Sequence, residues 1–127
     1  MDLLEVFEGS DDREKYSFDS VIFEEGNPGE LMYVVLHGEV LLSFKGQEIA
    51  TVSRGAIIGE MALLNSDVRS ATATAMTDCT LAPIDVHSFK SLIQHTPDFA
   101  LHVMNVLADR LRLANEAMAR IAPDGTS

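Results

Sequence analysis

The sequence has little that could cross-link the chain and little positive charge. It contains one cysteine, Cys79, and no tryptophan, and its 9 Lys and Arg face 20 Asp and Glu, for a formal net charge of −11. A single cysteine excludes an intramolecular disulfide and fits a reducing compartment. The acidic excess argues against binding to nucleic acid or to an anionic membrane surface, because both interactions require basic residues.

Long apolar runs and recognisable targeting segments are missing as well. No run approaches the roughly 18 apolar residues that a membrane-spanning helix needs. The first residues, MDLLEVFEGS, lack the basic and apolar segments of a signal peptide. We therefore expect a cytoplasmic protein. Its 127 residues suffice for one domain, residues 1–127, with a core of its own.

Glycine-containing turns divide residues 16–85 into short β runs. Segments such as LMYVVL and EVLLSF alternate with turns at Gly26, Gly38, Gly46 and Gly55. Turns at intervals of 8 to 12 residues predict an antiparallel barrel or jelly roll. A short helix is predicted over residues 1–8 and C-terminal helices over about residues 86–122, so the expected fold class is mainly β with flanking helices (α+β).

The last predicted helix, which begins near Pro97, carries an apolar stripe with the spacing of a coiled-coil seam. The stripe consists of Met104, Leu107, Leu111, Ala114, Met118 and Ile121. One interpretation is packing on the helix's own barrel, although this normally needs a wider stripe. The other is contact with a partner helix from Leu111 onward, in a homodimer or with another protein.

The segment IIGEMALLNSDVRSATATA, residues 57–75, interrupts the β pattern. Gly59 precedes a short helical turn at EMALL, and Arg69 follows on the approach to the next strand. The N–H groups at the start of a helix and the guanidinium fork of an arginine both bind anions. Glu60 would accept a hydrogen bond from a sugar hydroxyl, so that Glu60 and Arg69 together would suit a nucleotide monophosphate.

From residue types alone, structural roles explain the same residues better at this point. Arg69 could pair with Glu60 or Asp67 within the fold. Glu60 could also be no more than a favourable charge in the first turn of a helix.

A metalloenzyme is a further alternative, because cupins share the jelly-roll shape and bind metal through histidines. The four histidines are His37, His87, His95 and His102. None of them forms a His-x-His pair in a predicted strand, which argues against a metal site.

The segment GEMALLNSDVRSATATA resembles the phosphate-binding cassette of cyclic-nucleotide-binding domains, in which Gly-Glu-x-Ala-Leu leads to Arg-Ser/Ala/Thr-Ala. VIFEEGNPGELMYVVLHGEVLL is similar to the family's opening strands, and FKSLIQHTPDFALHVMNVLADRL to its closing helices. The resemblance covers about residues 16–113 and extends to bacterial catabolite-activator sensor domains and to regulatory subunits of cyclic-AMP-dependent kinases. It implies a bacterial regulatory module that is not an enzyme and needs no cofactor.

The resemblance also implies a role for individual residues in binding cyclic AMP or cyclic GMP, of which cyclic AMP is the expected ligand. Glu60 would bind the ribose 2′-OH and Arg69 the phosphate. The remaining cassette residues are Gly59, Met61, Ala62, Ser70 and Ala71. The candidates for contact with the base are Thr72, Leu111, Arg112 and Asn115.

The family relays ligand binding through movement of its C-terminal helices, and the same relay is expected here. The chain ends at Ser127, too soon for a helix-turn-helix, so we expect a stand-alone sensor or one domain of a larger protein without direct nucleic-acid binding. A nucleotide-free interaction or dimerisation domain and a haem-based sensor are the alternatives on the same fold.

Overall fold

Eight short strands form two antiparallel sheets in the computed structural model, which describes residues 12–64 and 68–121. The strands are β1 (Glu14–Tyr16), β2 (Val21–Phe23), β3 (Met32–His37), β4 (Val40–Phe44), β5 (Gln47–Val52), β6 (Ile57–Ile58), β7 (Thr72–Ala75) and β8 (Cys79–Ile84). The first sheet has the order β1-β8-β3-β6 and the second the order β2-β7-β4-β5. Most neighbours in space are therefore distant in sequence, which is the arrangement of a jelly-roll-like β-roll, and the predicted fold class is confirmed.

Three helices complete the described chain. They are α1 (Glu60–Leu64), α2 (Val86–His95) and α3 (Pro97–Ile121). Asp85 caps α2 by accepting a 2.7 Å hydrogen bond from the backbone N–H of Ser88, and Pro97 occupies the first position of α3, where its missing N–H costs nothing. The helix predicted over residues 1–8 lies outside the described residues. None of the described helices has the length and apolar character needed to cross a membrane.

The predicted turns have backbone conformations that explain their residues. Lys45 and Gly46 have φ values of 51° and 79° between β4 and β5, and positive φ at both central residues is the requirement of a type I′ hairpin turn. At Gly38, φ is 93°, and a β-carbon there would lie 2.5 Å from the carbonyl oxygen of Asp78. The β3–β4 turn therefore needs glycine both for its conformation and for space.

The core lies on both faces of the first sheet. Strand β3 is buried almost throughout, and its side chains alternate between the two faces, as in any strand. Met32, Val34 and Leu36 pack with Phe99 and Val103 of α3. On the opposite face, the strand contributes to a cluster between the two sheets, whose buried members are Tyr33, Val35, Val40, Ile58, Ala73, Ala75, Cys79 and Leu81.

The first half of α3 packs on the β-roll. Phe99 and Val103 are buried, and Leu107 packs against the same cluster. Beyond Arg110, every residue from 111 to 116 is exposed. This packing leaves three members of the predicted seam exposed by more than half, namely Met104, Leu111 and Met118.

Candidate ligand-binding site

A cavity of about 300 Å³ opens where the second sheet meets α1 and α3. This volume is at the lower end of the range for small-molecule sites. Its lining comes from five separate parts of the chain and comprises Phe23, Leu42, Ile58, Gly59, Glu60, Met61, Arg69, Ser70, Ala71, Leu107 and Arg110. The walls are mostly apolar, with three charged side chains and one hydroxyl among them.

Arg69 is a buried cation in this lining, with only 6% of its surface exposed. Its Nη1 donates to the carbonyl oxygens of Leu31, at 2.6 Å, and Gly59, at 3.4 Å. Burial lowers the pKa of Arg69, but arginine keeps its charge near neutral pH. No carboxylate within residues 12–64 or 68–121 forms an ion pair with it. Its charge is therefore available to an anion in the cavity.

Two glycines make room for the Arg69 guanidinium. A β-carbon on Gly29 would lie 2.2 Å from Nε of Arg69, and one on Gly59 would lie 2.6 Å from its Nη1. Both distances are far shorter than any van der Waals contact. Gly59 also has a φ of 77°, so its conformation favours glycine independently of the space.

Glu60, the first residue of α1, is the second buried charge, also 6% exposed. Its Oε1 accepts a hydrogen bond from Nη1 of Arg110 in an ion pair, and Nη2 of Arg110 donates to the carbonyl oxygen of Ile57. Burial lowers the pKa of Arg110 as well. Glu60 is thus paired with Arg110 of α3 and not with Arg69, while Asp67, the other partner considered for Arg69, lies outside the described residues.

The cavity brings most of the predicted cassette together. Gly59, Glu60, Met61, Arg69, Ser70 and Ala71 all line it. The side chain of Ala62 lies outside what the structure describes. Glu60 and Arg69 were proposed from their chemistry and the whole set from its resemblance to a motif, and the fold places them around one space.

The four candidates for base contact lie elsewhere. The Thr72 hydroxyl accepts from the backbone N–H of Glu25 at 3.0 Å and donates to its carboxylate at 3.2 Å. The other three lie on the exposed side of α3, apart from the cavity; they are Leu111, Arg112 and Asn115. In this conformation, α3 contributes Leu107 and Arg110 to the cavity instead.

Five lining residues were not predicted, namely Phe23, Leu42, Ile58, Leu107 and Arg110. Arg110 carried a signal in the sequence, because it follows the core residues Val103 and Val106 by seven and four positions and so shares their face of the helix. A charged residue on an apolar face needs a buried partner. Phe23 and Leu42 had no such signal, since apolar residues in strands normally belong to the core.

No group of three or more potential metal-ligating side chains (His, Cys, Asp or Glu) occurs in the part of the chain that the structure describes. Among the histidines, His102 is held by a hydrogen bond of 2.9 Å between its Nε2 and the carbonyl oxygen of Gly55. His95 has its Nδ1 2.9 Å from the carbonyl oxygen of Ser91. These two histidines therefore have backbone partners in the fold.

Comparison with known proteins identifies the family. Residues 13–96 match the family model described as "Cyclic nucleotide-binding domain". The chain belongs to the cyclic nucleotide-binding domain family. This confirms the resemblance drawn from the cassette and the flanking strands, and it agrees with the β-roll and its helices.

Individual members of the family show the same similarity. The chain is 30% identical over 114 residues to the cAMP-activated global transcriptional regulator CRP of Salmonella typhimurium, covering 85% of this chain and 54% of that protein. It is 35% identical over 82 residues to a cGMP-dependent protein kinase of Drosophila melanogaster, covering 65% of this chain and 8% of the kinase.

Among solved structures, the Thermus thermophilus catabolite activator protein superposes with a TM-score of 0.74 at 32% identity, covering 86% of this chain and 54% of that one. The chain thus spans about half the length of these bacterial relatives. What the similarity supports is the family and its regulatory character.

Proposed function

We propose that this chain is a regulatory module that binds a cyclic nucleotide, with cyclic AMP as the expected ligand, and that it catalyses no reaction. The observation that carries the proposal is the buried guanidinium of Arg69 in a 300 Å³ cavity, without a carboxylate partner in the described residues. Burying an arginine without neutralising it is unfavourable unless an anion is bound there for part of the protein's cycle. A cyclic phosphate supplies that anion.

The other lining residues suit the rest of such a ligand. Glu60 is an acceptor for the ribose 2′-OH, and the apolar side chains of Leu42, Met61 and Leu107 offer surface to a purine ring. Ser70 supplies one hydroxyl to the phosphate or the base. Since few polar side chains line the cavity, we expect affinity to come mainly from the cyclic phosphate and ribose.

The relay of binding to the rest of the protein would run through Arg110. This residue connects α3 to Glu60 and, through Ile57, to β6. A ribose hydroxyl that binds the Glu60 carboxylate changes the hydrogen bonds available to Arg110 and hence the position that α3 prefers. Such coupling requires the ligand to bind one arrangement of the helix more tightly than the other.

Dimerisation is the proposed use of the exposed half of α3. Leu111 and Met118 are exposed by 63% and 68%, on the seam predicted from the sequence. A second helix packed along this seam would cover both residues.

We place the module in the cytoplasm, where the free Cys79, buried in the core, would stay reduced.

One observation favours a different function. Because Arg110 already satisfies Glu60, the site could be closed permanently, and the chain would then be a nucleotide-free interaction domain of the same fold. Binding measurements distinguish the two functions directly.

The test is calorimetric titration of the protein with cyclic AMP, cyclic GMP and, as a control ligand, adenosine 5′-monophosphate. We expect both cyclic nucleotides to bind, cyclic AMP more tightly, and the 5′-monophosphate to bind poorly because of its extra charge. Arg69→Ala should weaken cyclic AMP binding by about 2–4 kcal/mol, since it removes a charge-assisted fork from a buried anion.

Arg54→Ala is the matched control, because this arginine donates to the carbonyl oxygen of Leu36 and does not line the cavity. Equal affinity of wild type and Arg69→Ala would show that the phosphate assignment is wrong. No heat of binding from any nucleotide in the wild-type protein would instead favour the interaction domain.

A further inference from the structure

We propose that Phe23 is a positioning residue for Arg69, and that its ring holds the guanidinium in the phosphate-binding orientation before the ligand arrives. The inference rests on the proposed function of the cavity. The guanidinium carbon of Arg69 lies 4.3 Å from the centroid of the Phe23 ring, well within the range of a cation–π interaction. Phe23 itself lines the cavity, so ring, cation and binding space are contiguous.

The position of the Phe23 ring results from an irregularity in β2. Val21 pairs with Thr74 and Phe23 pairs with Ala73, so β2 advances by two residues where β7 advances by only one. In a regular strand, Ile22 and Phe23 would point to opposite faces. Both pack against the cluster between the two sheets, which the bulge makes possible. The bulge therefore turns Phe23 inward, toward Arg69.

Further contacts restrict the ring and the guanidinium together. Phe23 stacks on Tyr33, with centroids 6.2 Å apart and an interplanar angle of 19°. Arg69 lies 5.9 Å from the Tyr33 ring, and burial raises the pKa of Tyr33, which keeps its phenol neutral. The guanidinium also lies close against Gly29 and Gly59, where a β-carbon would come within 2.2 Å and 2.6 Å of it.

An aromatic ring has one advantage over a carboxylate in this position. A carboxylate would hold the arginine by its N–H donors and would neutralise the charge that a phosphate needs. A ring contacts the guanidinium by its face, so the donors at the edge remain available to a ligand. Holding the long arginine side chain in one orientation beforehand also lowers the entropy lost when the ligand binds.

The test compares Phe23→Leu and Phe23→Met, which remove the ring, with Phe23→Tyr, which retains it. Phe89→Leu is the matched control, because Phe89 stacks edge-on against Phe99 in the other cluster, away from the cavity. Far-UV circular dichroism identifies any variant that does not fold, and the Met variant keeps most of the side-chain volume should Leu not be tolerated.

Two measurements are made on each variant. The first is cyclic AMP affinity, which we expect to fall roughly 5- to 30-fold in Phe23→Leu and Phe23→Met, the range of a partly to fully desolvated cation–π contact. The second is the NMR chemical shift of the Arg69 side-chain protons in the ligand-free protein. The ring current should shift these resonances upfield in wild type and Phe23→Tyr, but not in the Leu and Met variants.

The outcomes separate this inference from the proposed function. Wild-type affinity in Phe23→Leu and Phe23→Met, or the same loss in Phe89→Leu, overturns the positioning role. If the Arg69 resonances are the same in Phe23→Leu as in wild type, the contact between Phe23 and Arg69 is overturned, whether or not the protein binds a ligand. A wild-type protein that shows the ring-current shift but binds no cyclic nucleotide would overturn the proposed function while leaving the ring contact established.

Discussion

At Arg69, the fold surrounds a positive charge with carbonyl oxygens and aromatic faces instead of carboxylates. The carbonyl oxygens of Leu31 and Gly59 satisfy one nitrogen, and Phe23 covers the face of the guanidinium. These contacts compensate part of the desolvation without neutralising the charge. The residue is therefore both anchored and able to bind an anion, which a structural ion pair would not allow.

Gly29 provides a separate test of that arrangement. Its φ is outside the left-handed region, so Gly29→Ala changes only the space beside Arg69 and strains no backbone. The new methyl group would displace the guanidinium, which is the end of a flexible side chain, so the melting temperature should change little. Cyclic AMP affinity should fall about tenfold or more by calorimetry.

An unaltered affinity in Gly29→Ala would mean that Arg69 adopts another orientation when it binds. In that case the orientation of the guanidinium in the ligand-free protein would not contribute to ligand affinity.

At the scale of the element, α3 has two halves in different environments. Its first half carries the core residues Phe99 and Val103, and Arg110 ends that half with its ion pair to Glu60. Its second half is exposed at every residue from 111 to 116. Intrinsic propensity alone stabilises an isolated helix only marginally in water, since most helical stability in proteins comes from packing. A partner along the second half would supply that packing.

We expect Leu111→Asp to convert a dimer into a monomer in sedimentation velocity, because it places a carboxylate in the middle of the predicted seam. Leu113→Asp is the control: Leu113 is 55% exposed on the same half of the helix, two residues from Leu111 and therefore on the opposite side. A dimer that survives Leu111→Asp, or one that Leu113→Asp dissociates equally, would contradict the seam.

At the scale of the whole molecule, the site joins parts of the chain that fold as separate layers. Glu60 and Arg110 are 50 positions apart, and their ion pair connects the cassette with α3, which packs on the face of the first sheet that is turned away from the second sheet. A change at the cavity can therefore reach α3 without passing through the core, which is close-packed and not easily deformed. Only one described ion pair makes this connection.

Hydrogen exchange measured by mass spectrometry tests the connection. Cyclic AMP should slow amide exchange in α3 of the wild-type protein, because the ligand favours one position of that helix. In Arg110→Gln, the protection of α3 should be reduced several-fold relative to that of the cassette, since the charge that connects them is removed. Arg112→Gln, which alters only exposed pairs such as that with Glu116 at 3.2 Å, should behave as wild type. Protection of α3 that persists in Arg110→Gln would exclude Arg110 as the relay.

The resemblance to a known family supplied the full set of cassette residues, and the sequence by itself determined the short strands, their glycine turns and the fold class. These follow from local properties, because the alternation of a strand and the positive φ of a glycine turn depend on neighbours within a few residues. The tertiary structure alone decided that Glu60 faces Arg110, that Phe23 covers Arg69, and that Leu111, Arg112 and Asn115 lie outside the cavity. Such contacts depend on the β2 bulge and on which side of α3 packs against the β-roll. No local sequence pattern specifies how the second sheet and α3 meet.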